Sequence, residues 1–395
     1  MEIKILKGVE LQGYKYLSGN YVIKLERSKS KYESIDLVNY KVFNLETTES
    51  FDILPAIEKY DIGGVVNATL KQGYIYFTSI ETKSEGSFIS ILSYNVDTGE
   101  MDCIYTFKED INKINVSCKY KVFVLNDYVM IIQKESLKFN KTRTYSGFFD
   151  FSQTLINIKD KIVYELEDEN LKKNGISQAL AISENQCVLK TGFSLLEDNR
   201  YNVLEEDECS VESIGFINTS MLISDLAIEH VNIAIENIEQ TCYKKTIPYV
   251  RFEDEYIIYS LVNNETKEEI VNFYNVQTEE LKQCINTDVI FGKDLANVLV
   301  LNNEPYVYFE KHNQNYFLNL SQNKITKKFD KNYKIENIFH DSIILSGTTK
   351  KLFTSKEVNS FDIYNFESKK DIYREKNKYI NSFETDDETI YIISD

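Results

Sequence analysis

Tyr94-Asn95-Val96-Asp97-Thr98-Gly99-Glu100 has the composition of a tight turn joining two β-strands. Asn and Asp side chains bond back to nearby backbone N–H groups and Gly accepts a positive φ, so the segment can reverse the chain unaided. Its apolar–Asn–apolar start recurs at Phe43-Asn44-Leu45, Ile156-Asn157-Ile158, Tyr201-Asn202-Val203, Tyr274-Asn275-Val276, Leu318-Asn319-Leu320 and Tyr364-Asn365-Phe366. Turn chemistry accounts for all seven asparagines without a ligand.

A second pattern precedes each turn: a short apolar run, a few Asn, Asp, Gly or Glu residues, then a second run, often starting near a Tyr. The copies are 14–17 with 21–25, 65–70 with 74–78, 120–125 with 128–133, 179–182 with 187–190, 247–252 with 256–261, 297–301 with 306–309, 335–339 with 342–346 and 380–383 with 389–394. Short β-branched or aromatic runs split by turn residues are hairpin signals. A hairpin plus a turn-linked pair makes four strands, the unit of a propeller blade, on a repeat of about fifty residues.

In these features the chain resembles the β-propeller superfamily in general, and the turn at 94–100 is similar to those of several bacterial propeller families. The resemblance implies an all-β fold, a single closed propeller domain over residues 1–395. Tryptophan–aspartate repeats are excluded, since the sequence has no Trp. Eight hairpins favour eight blades. Seven also fits, because the unit holding Cys187 is poorly defined and the repeat from Tyr306 to Ser342 is short. No Asn turn follows the eighth hairpin. The strand-like run Glu2-Ile3-Lys4-Ile5-Leu6 is expected to pair with that hairpin and close the ring.

The composition agrees with strands: Tyr (28) and Phe (23) are abundant. With three prolines and 14 glycines, turns must lean on Asn and Asp. The excess of Lys over Arg, with much Ile and Asn, suggests an AT-rich bacterial genome. The widest gap between hairpins, Cys187 to Tyr256, holds an insertion. Ile223, Ala227, Val231, Ala234 and Ile238 lie at helical spacing with Asp225 in the first turn, which predicts a helix over 220–240. Such a helix would gate a channel mouth. Helix is the favoured reading, though alternation at Val231, Ile233 and Ile235 also admits a strand for the second half.

A net charge of −17 argues against nucleic acid and anionic membranes as partners, since both select basic faces. The start of the chain has no apolar leader, and no run approaches the length of a spanning helix. Six cysteines (Cys103, Cys118, Cys187, Cys209, Cys242, Cys284) are scattered singly. That is the pattern of neither a disulfide framework nor a zinc site, so a cytoplasmic location is expected.

No catalytic, cofactor or metal residue is expected. There is no phosphate-cradling Gly loop, HExxH pair or GxSxG turn. His230, His312 and His340 lie in different repeats. Glu253-Asp254-Glu255, Asp386-Asp387-Glu388 and Glu205-Glu206-Asp207-Glu208 fall at turns without calcium-loop spacing and read as solvated acids.

Basic residues gather where loops joining second to third strands are expected: Arg27, Lys29 and Lys31, then Lys134, Lys138, Lys141 and Arg143, then Lys350, Lys351 and Lys356. The expected function is a non-enzymatic propeller binding a protein or other macromolecule through one face. An acidic protein or anionic ligand would meet the basic loops. Two alternatives stand beside it. One is a hydrolase or lyase with carboxylates at the central channel, and the other is a binder of an anionic small molecule or carbohydrate.

Overall fold

A strand buried on both faces reads as an unbroken apolar run, and Val129-Met130-Ile131-Ile132 is such a run. In the computed structural model it opens the strand Val129–Phe139. Met130 and Ile132 pack with Tyr76, Ile89 and Ile91 of the preceding sheet. Val129 and Ile131 pack on the opposite side with Ile176, Cys187 and Leu189 of the following one. Period-two alternation thus makes one strand the shared wall of two cores.

The structure describes residues 2–29, 36–53, 65–71, 73–84, 86–109, 118–139, 147–192, 212–220, 230–231, 236–241, 245–248, 250–253, 255–263, 265–266, 268–285, 298–301, 304–311, 314–322, 324–329, 333–339, 342–350, 357–385 and 389–394. Among them are eight sheets in succession, one around each of the strands Tyr21–Lys29, Tyr74–Lys83, Val129–Phe139, Gln186–Thr191, Tyr256–Asn263, Glu304–Lys311, Ser342–Lys350 and Thr389–Ser394. This is an all-β, eight-bladed propeller arrangement, numbered here by blade in chain order. No helix among the described residues is long and apolar enough to cross a membrane.

The chain divides into two compact units. One comprises Asn20–Pro248 with Asn263–Thr266, and the other Met1–Gly19, Tyr249–Val262 and Lys267–Asp395. The second unit repeats the layered cores seen around Val129–Phe139. Leu299, Leu301, Ile343 and Leu345 pack between the sixth and seventh blades, and Ile344, Phe361, Ile390 and Ile392 between the seventh and eighth.

The Asn turns form as their chemistry requires. Asn95 Oδ1 accepts from the N–H groups of Asp97 and Thr98 at 2.9 and 3.1 Å. Asn44 bonds Glu46 and Thr47 in the same way, and Asn275 bonds Gln277 and Thr278. Four residues after the Asn the backbone turns left-handed, at Thr48, Gly99, Lys161, Glu279 and Lys369. Gly99 alone of these has no Cβ to strain.

The N-terminal strand Glu2–Lys7 pairs with Thr389–Ser394, as expected, and runs parallel to it from Glu2 opposite Thr389 to Lys7 opposite Ser394. The eighth sheet therefore has three strands, Tyr379–Glu384, Thr389–Ser394 and Glu2–Lys7.

The insertion divides the expectation: Thr219 and Ser220 at its start are helical, and its second half holds a strand, as the alternation there allowed. Glu236–Gln240 is a strand, antiparallel to Ser213–Asn218 at the outer edge of the fourth blade. His230–Val231 pairs in parallel with Ile162–Leu166 of the third blade. Residues 221–229 and 232–235 lie outside the described residues. The expected cap over a channel mouth falls mostly on those residues. At Glu236–Gln240 the open edge of Ser213–Asn218 supplies the backbone partners of a strand. A further helix occurs at Glu169–Asn174, between the third and fourth blades. Asp168 caps its first turn by accepting from Leu171 N–H at 2.9 Å. Gly175 ends it at φ 66°, where a Cβ would lie 2.7 Å from the Phe151 ring.

Candidate functional site

Strand register in the second blade sets side chains in rows. Tyr76 stands opposite Ser93, and Ser93 opposite Asp102. One step nearer the turns, Tyr74 stands opposite Asn95, whose N–H bonds the Glu100 carbonyl at 2.9 Å. Residues two apart on a strand share a face, so Tyr74 and Tyr76 lie side by side there, as do Ser93 and Asn95. Asp127, from the hairpin turn of the third blade, and Ile158, from its Asn turn, complete the walls of a cavity of about 440 Å³.

The Tyr74 and Tyr76 rings stack, with centroids 6.1 Å apart and planes inclined by 28°. Tyr74 is 40% exposed, whereas Tyr76 and Ser93 are 6% and 8% exposed. Burial pushes the Tyr76 phenol up to about 12, aided by the charge of Asp127 and by Tyr74. Lys161 Nζ holds Asp102 at 2.9 Å and the Cys103 carbonyl at 3.1 Å.

A second cavity, of about 230 Å³, continues from Asp127 toward the fourth blade along Tyr128, Ala181, Ser183 and Glu184. Buried Asn126 fixes this junction. Its Oδ1 accepts from Tyr128 and Val129 N–H, each at 2.9 Å. Its Nδ2 donates to the Glu184 carbonyl at 2.9 Å. The two cavities meet at Asp127 and together form a groove lined by the second, third and fourth blades. Tyr74, Tyr76 and Tyr128 give it aromatic surface, and Glu100, Asp102, Asp127 and Glu184 give it negative charge. Aromatic faces flanked by carboxylates suit recognition of organic cations.

Five of the expected basic residues lie in strands rather than loops, because the central strands run past the hairpin signal. Arg27 and Lys29 stand opposite Val38 and Asp36. Lys134 and Lys138 stand opposite Ser152 and Phe148, and Lys350 opposite Glu357. Lys134 is half-buried mid-strand, its Nζ 6.0 Å from the centre of the Tyr120 ring. Lys31, Lys141, Arg143, Lys351 and Lys356 lie outside the described residues, as do His312, His340, Asp254 and the acidic runs at 205–208 and 386–388.

Carboxylates with displaced pKa values sit on separate blades. Burial raises Glu269 in the fifth, where Ser260 opposes the shift. The Tyr373 hydroxyl chiefly lowers Glu375 in the seventh. Sequence reasoning took Tyr74 and Tyr76 as strand formers and missed the groove. Their spacing of two, like that of Ser93 and Asn95, marks a shared strand face but not the register that sets the two pairs opposite each other.

No protein-family model matches the chain, and no curated protein matches it. Solved structures do. Dipeptidyl peptidase 4 of Porphyromonas gingivalis aligns over 95% of this chain and 56% of its own, at 10% identity and a TM-score of 0.49. The β-propeller domain of the Trilobed protease from Pyrococcus furiosus aligns over 92% of this chain and 94% of its own, at 10% identity and a TM-score of 0.42. An oligogalacturonate lyase solved with manganese aligns over 84% and 95%, at 6% identity and 0.42. This chain thus spans little more than half the length of the peptidase. At such identities the likeness bears on fold alone, so the reading of the groove rests on its own residues.

Proposed function

We propose that this chain is a non-enzymatic binding propeller that takes an extended basic segment of a partner protein across the hairpin turns of its second, third and fourth blades. The observation that carries this reading is the pair of cavities that meet at Asp127, with three tyrosines and four carboxylates along them. Tyrosine supplies broad contact area at small entropic cost. Carboxylates set in an acidic chain steer a basic partner toward it. A cytoplasmic setting is part of the proposal and rests on the scattered cysteines. The test is fluorescence anisotropy of a labelled extended basic peptide, with an acidic peptide of equal length as control. The basic peptide should bind, weaken with salt and weaken further with Asp127→Lys. Equal binding of the acidic peptide, or none of the basic one, would overturn the reading.

A second reading seats an acidic partner on the basic strand ends. Register favours it within each blade. Tyr21 pairs with Asn44 at one end of its strand pair, and Lys29 with Asp36 at the other. Val129 pairs with Asn157, and Lys138 lies nine residues along the same strand. The basic residues therefore stand at the end remote from the Asn turns. Lys138→Glu should slow association of an acidic peptide, and an unchanged rate removes this reading.

A further inference from the structure

We propose that the outer edge of the eighth sheet is a strand-acceptor site. An extended, uncharged segment of a partner protein pairs antiparallel to Glu2–Lys7 there and supplies the fourth strand of the blade.

Each of the other seven sheets has at least four strands. In each, the strand outside the third runs antiparallel to it. Among the described residues the eighth sheet stops at three, with Glu2–Lys7 outermost. The backbone of that strand is phased for a further partner. Gly8 N–H donates to the Ser394 carbonyl at 3.2 Å, and successive residues of a strand point their N–H and C=O groups to opposite sides. Lys4 and Leu6 therefore bond toward Thr389–Ser394, while Ile3, Ile5 and Lys7 direct theirs to the open side. Burial tells the same story. Ile3, Ile5 and Leu6 are half-buried, whereas apolar residues on the third strands of other blades are fully buried: Ile89 and Ile91 in the second, Val271 and Phe273 in the fifth, Phe361 and Ile363 in the seventh.

The surroundings select the occupant. Ile3 packs with Phe361, Ile390 and Ile392, and Tyr373 of the seventh blade lies against the same cluster. Ile5 shares the face of Ile3. A strand laid beside them must bring apolar side chains at alternate positions. Charge at this edge is already matched: Lys4 Nζ lies 3.8 Å from Glu2 Oε2, and Lys7 Nζ 3.6 Å from Glu375 Oε1. Lys4 Nζ also stands 5.3 Å from the centre of the Tyr391 ring. An incoming charge would be surplus, so charge complementarity calls for a neutral segment. A second copy of the chain does not fit. In an antiparallel pair, open-side residues stand opposite only one another. The register that sets Ile3 against Ile5 of another copy also sets Lys4 against Lys4, and the next register sets Ile3 against Lys7. Like charges directly opposite destabilise a strand pair, and edge lysines guard against self-pairing.

Residue-resolved hydrogen exchange on the intact chain tests the site, with a labelled peptide of alternating Val and Thr as the probe. In the free chain the amides of Ile3 and Ile5 should exchange about tenfold or more faster than those of Lys4 and Leu6. The peptide should slow Ile3 and Ile5 and leave Lys4 and Leu6 unchanged. In fluorescence anisotropy, N-methylating the valines, whose N–H groups face Glu2–Lys7 in this register, should weaken binding by about tenfold or more. N-methylating the threonines should change it little. Lys or Glu in place of the valines should weaken it as strongly as valine methylation. Slow exchange at Ile3 and Ile5 in the free chain would show an edge already covered and overturns the site. Equal binding of the valine-methylated peptide overturns strand pairing, and tighter binding of a charged peptide overturns the neutral occupant. A free chain that is dimeric on size-exclusion chromatography until peptide is added overturns the partner protein in favour of a second copy. Absence of peptide binding overturns the proposal.

Discussion

The backbone N–H of Val96 donates to the carbonyl of Gly73 at 2.9 Å, tying the Asn turn of the second blade to the tip of its hairpin. The link recurs from Leu45 to Asn20, Ile158 to Tyr128, Val276 to Glu255 and Leu320 to Pro305. Each donor directly follows the turn asparagine. The Asn side chain holds the turn, and the next residue ties it to the neighbouring tip. This fixes the turn end of the blade on which the groove is built.

Removing an asparagine side chain should therefore loosen a blade without touching recognition. Asn275→Ala strips the acceptor from Gln277 and Thr278 N–H and should cost about 1–2 kcal/mol in urea denaturation. Asn275→Asp keeps the acceptor and should recover most of that loss.

Glu279 and Lys369 hold left-handed backbone at φ 58° and 57° with a side chain that disfavours it. Glu279→Gly and Lys369→Gly should each stabilise by about 0.5–1 kcal/mol, the strain relieved exceeding the entropy added to the unfolded chain. Gly99→Ala should destabilise by a similar amount. A Cβ there meets Tyr94 Oη at an ordinary 3.6 Å, so the cost lies in the backbone.

The eight blades were legible because their central strands are buried on both faces. Runs such as 129–132 and 343–345 cannot be loops, and the Asn turns punctuate them at regular intervals. The groove was not legible, because Tyr76, Ser93 and Asp102 are brought together by register across three strands. No spacing along the chain encodes that register. The insertion was legible only in part: alternation allowed a strand in its second half, while the open edge of Ser213–Asn218, which pairs with Glu236–Gln240, is a property of the assembled sheet.

Alkaline pH should unfold the protein early. Burial raises the phenols of Tyr76 and Tyr379 to about 12 and raises that of Tyr40 as well, against an ordinary value near 10 in the unfolded chain. Above pH 10 the unfolded state binds fewer protons than the folded one, so stability falls as pH rises and is lost progressively toward pH 12. Denaturation midpoints should be flat to about pH 9.5 and then drop. Tyr379→Phe should shallow the drop while costing about 1 kcal/mol at neutral pH for its hydrogen bond to Ser382.

Deleting residues 1–7 removes the strand paired in parallel with Thr389–Ser394 and bares the edge of the eighth sheet. Each lost backbone bond contributes on the order of 1 kcal/mol net. The deletion should lower the melting temperature by several degrees and promote edge-to-edge association on size-exclusion chromatography. That this seam closes the propeller ring is our proposal. An unchanged melting temperature and a monomeric profile would remove it.

Hydrogen–deuterium exchange, with and without a saturating extended basic peptide, tests the groove most directly. The account predicts slowed exchange at the turn amides of 96–100, 126–128 and 182–185, with the basic strand ends around Lys29 and Lys138 unchanged. Protection confined to those strand ends, or none at the three turns, would contradict it.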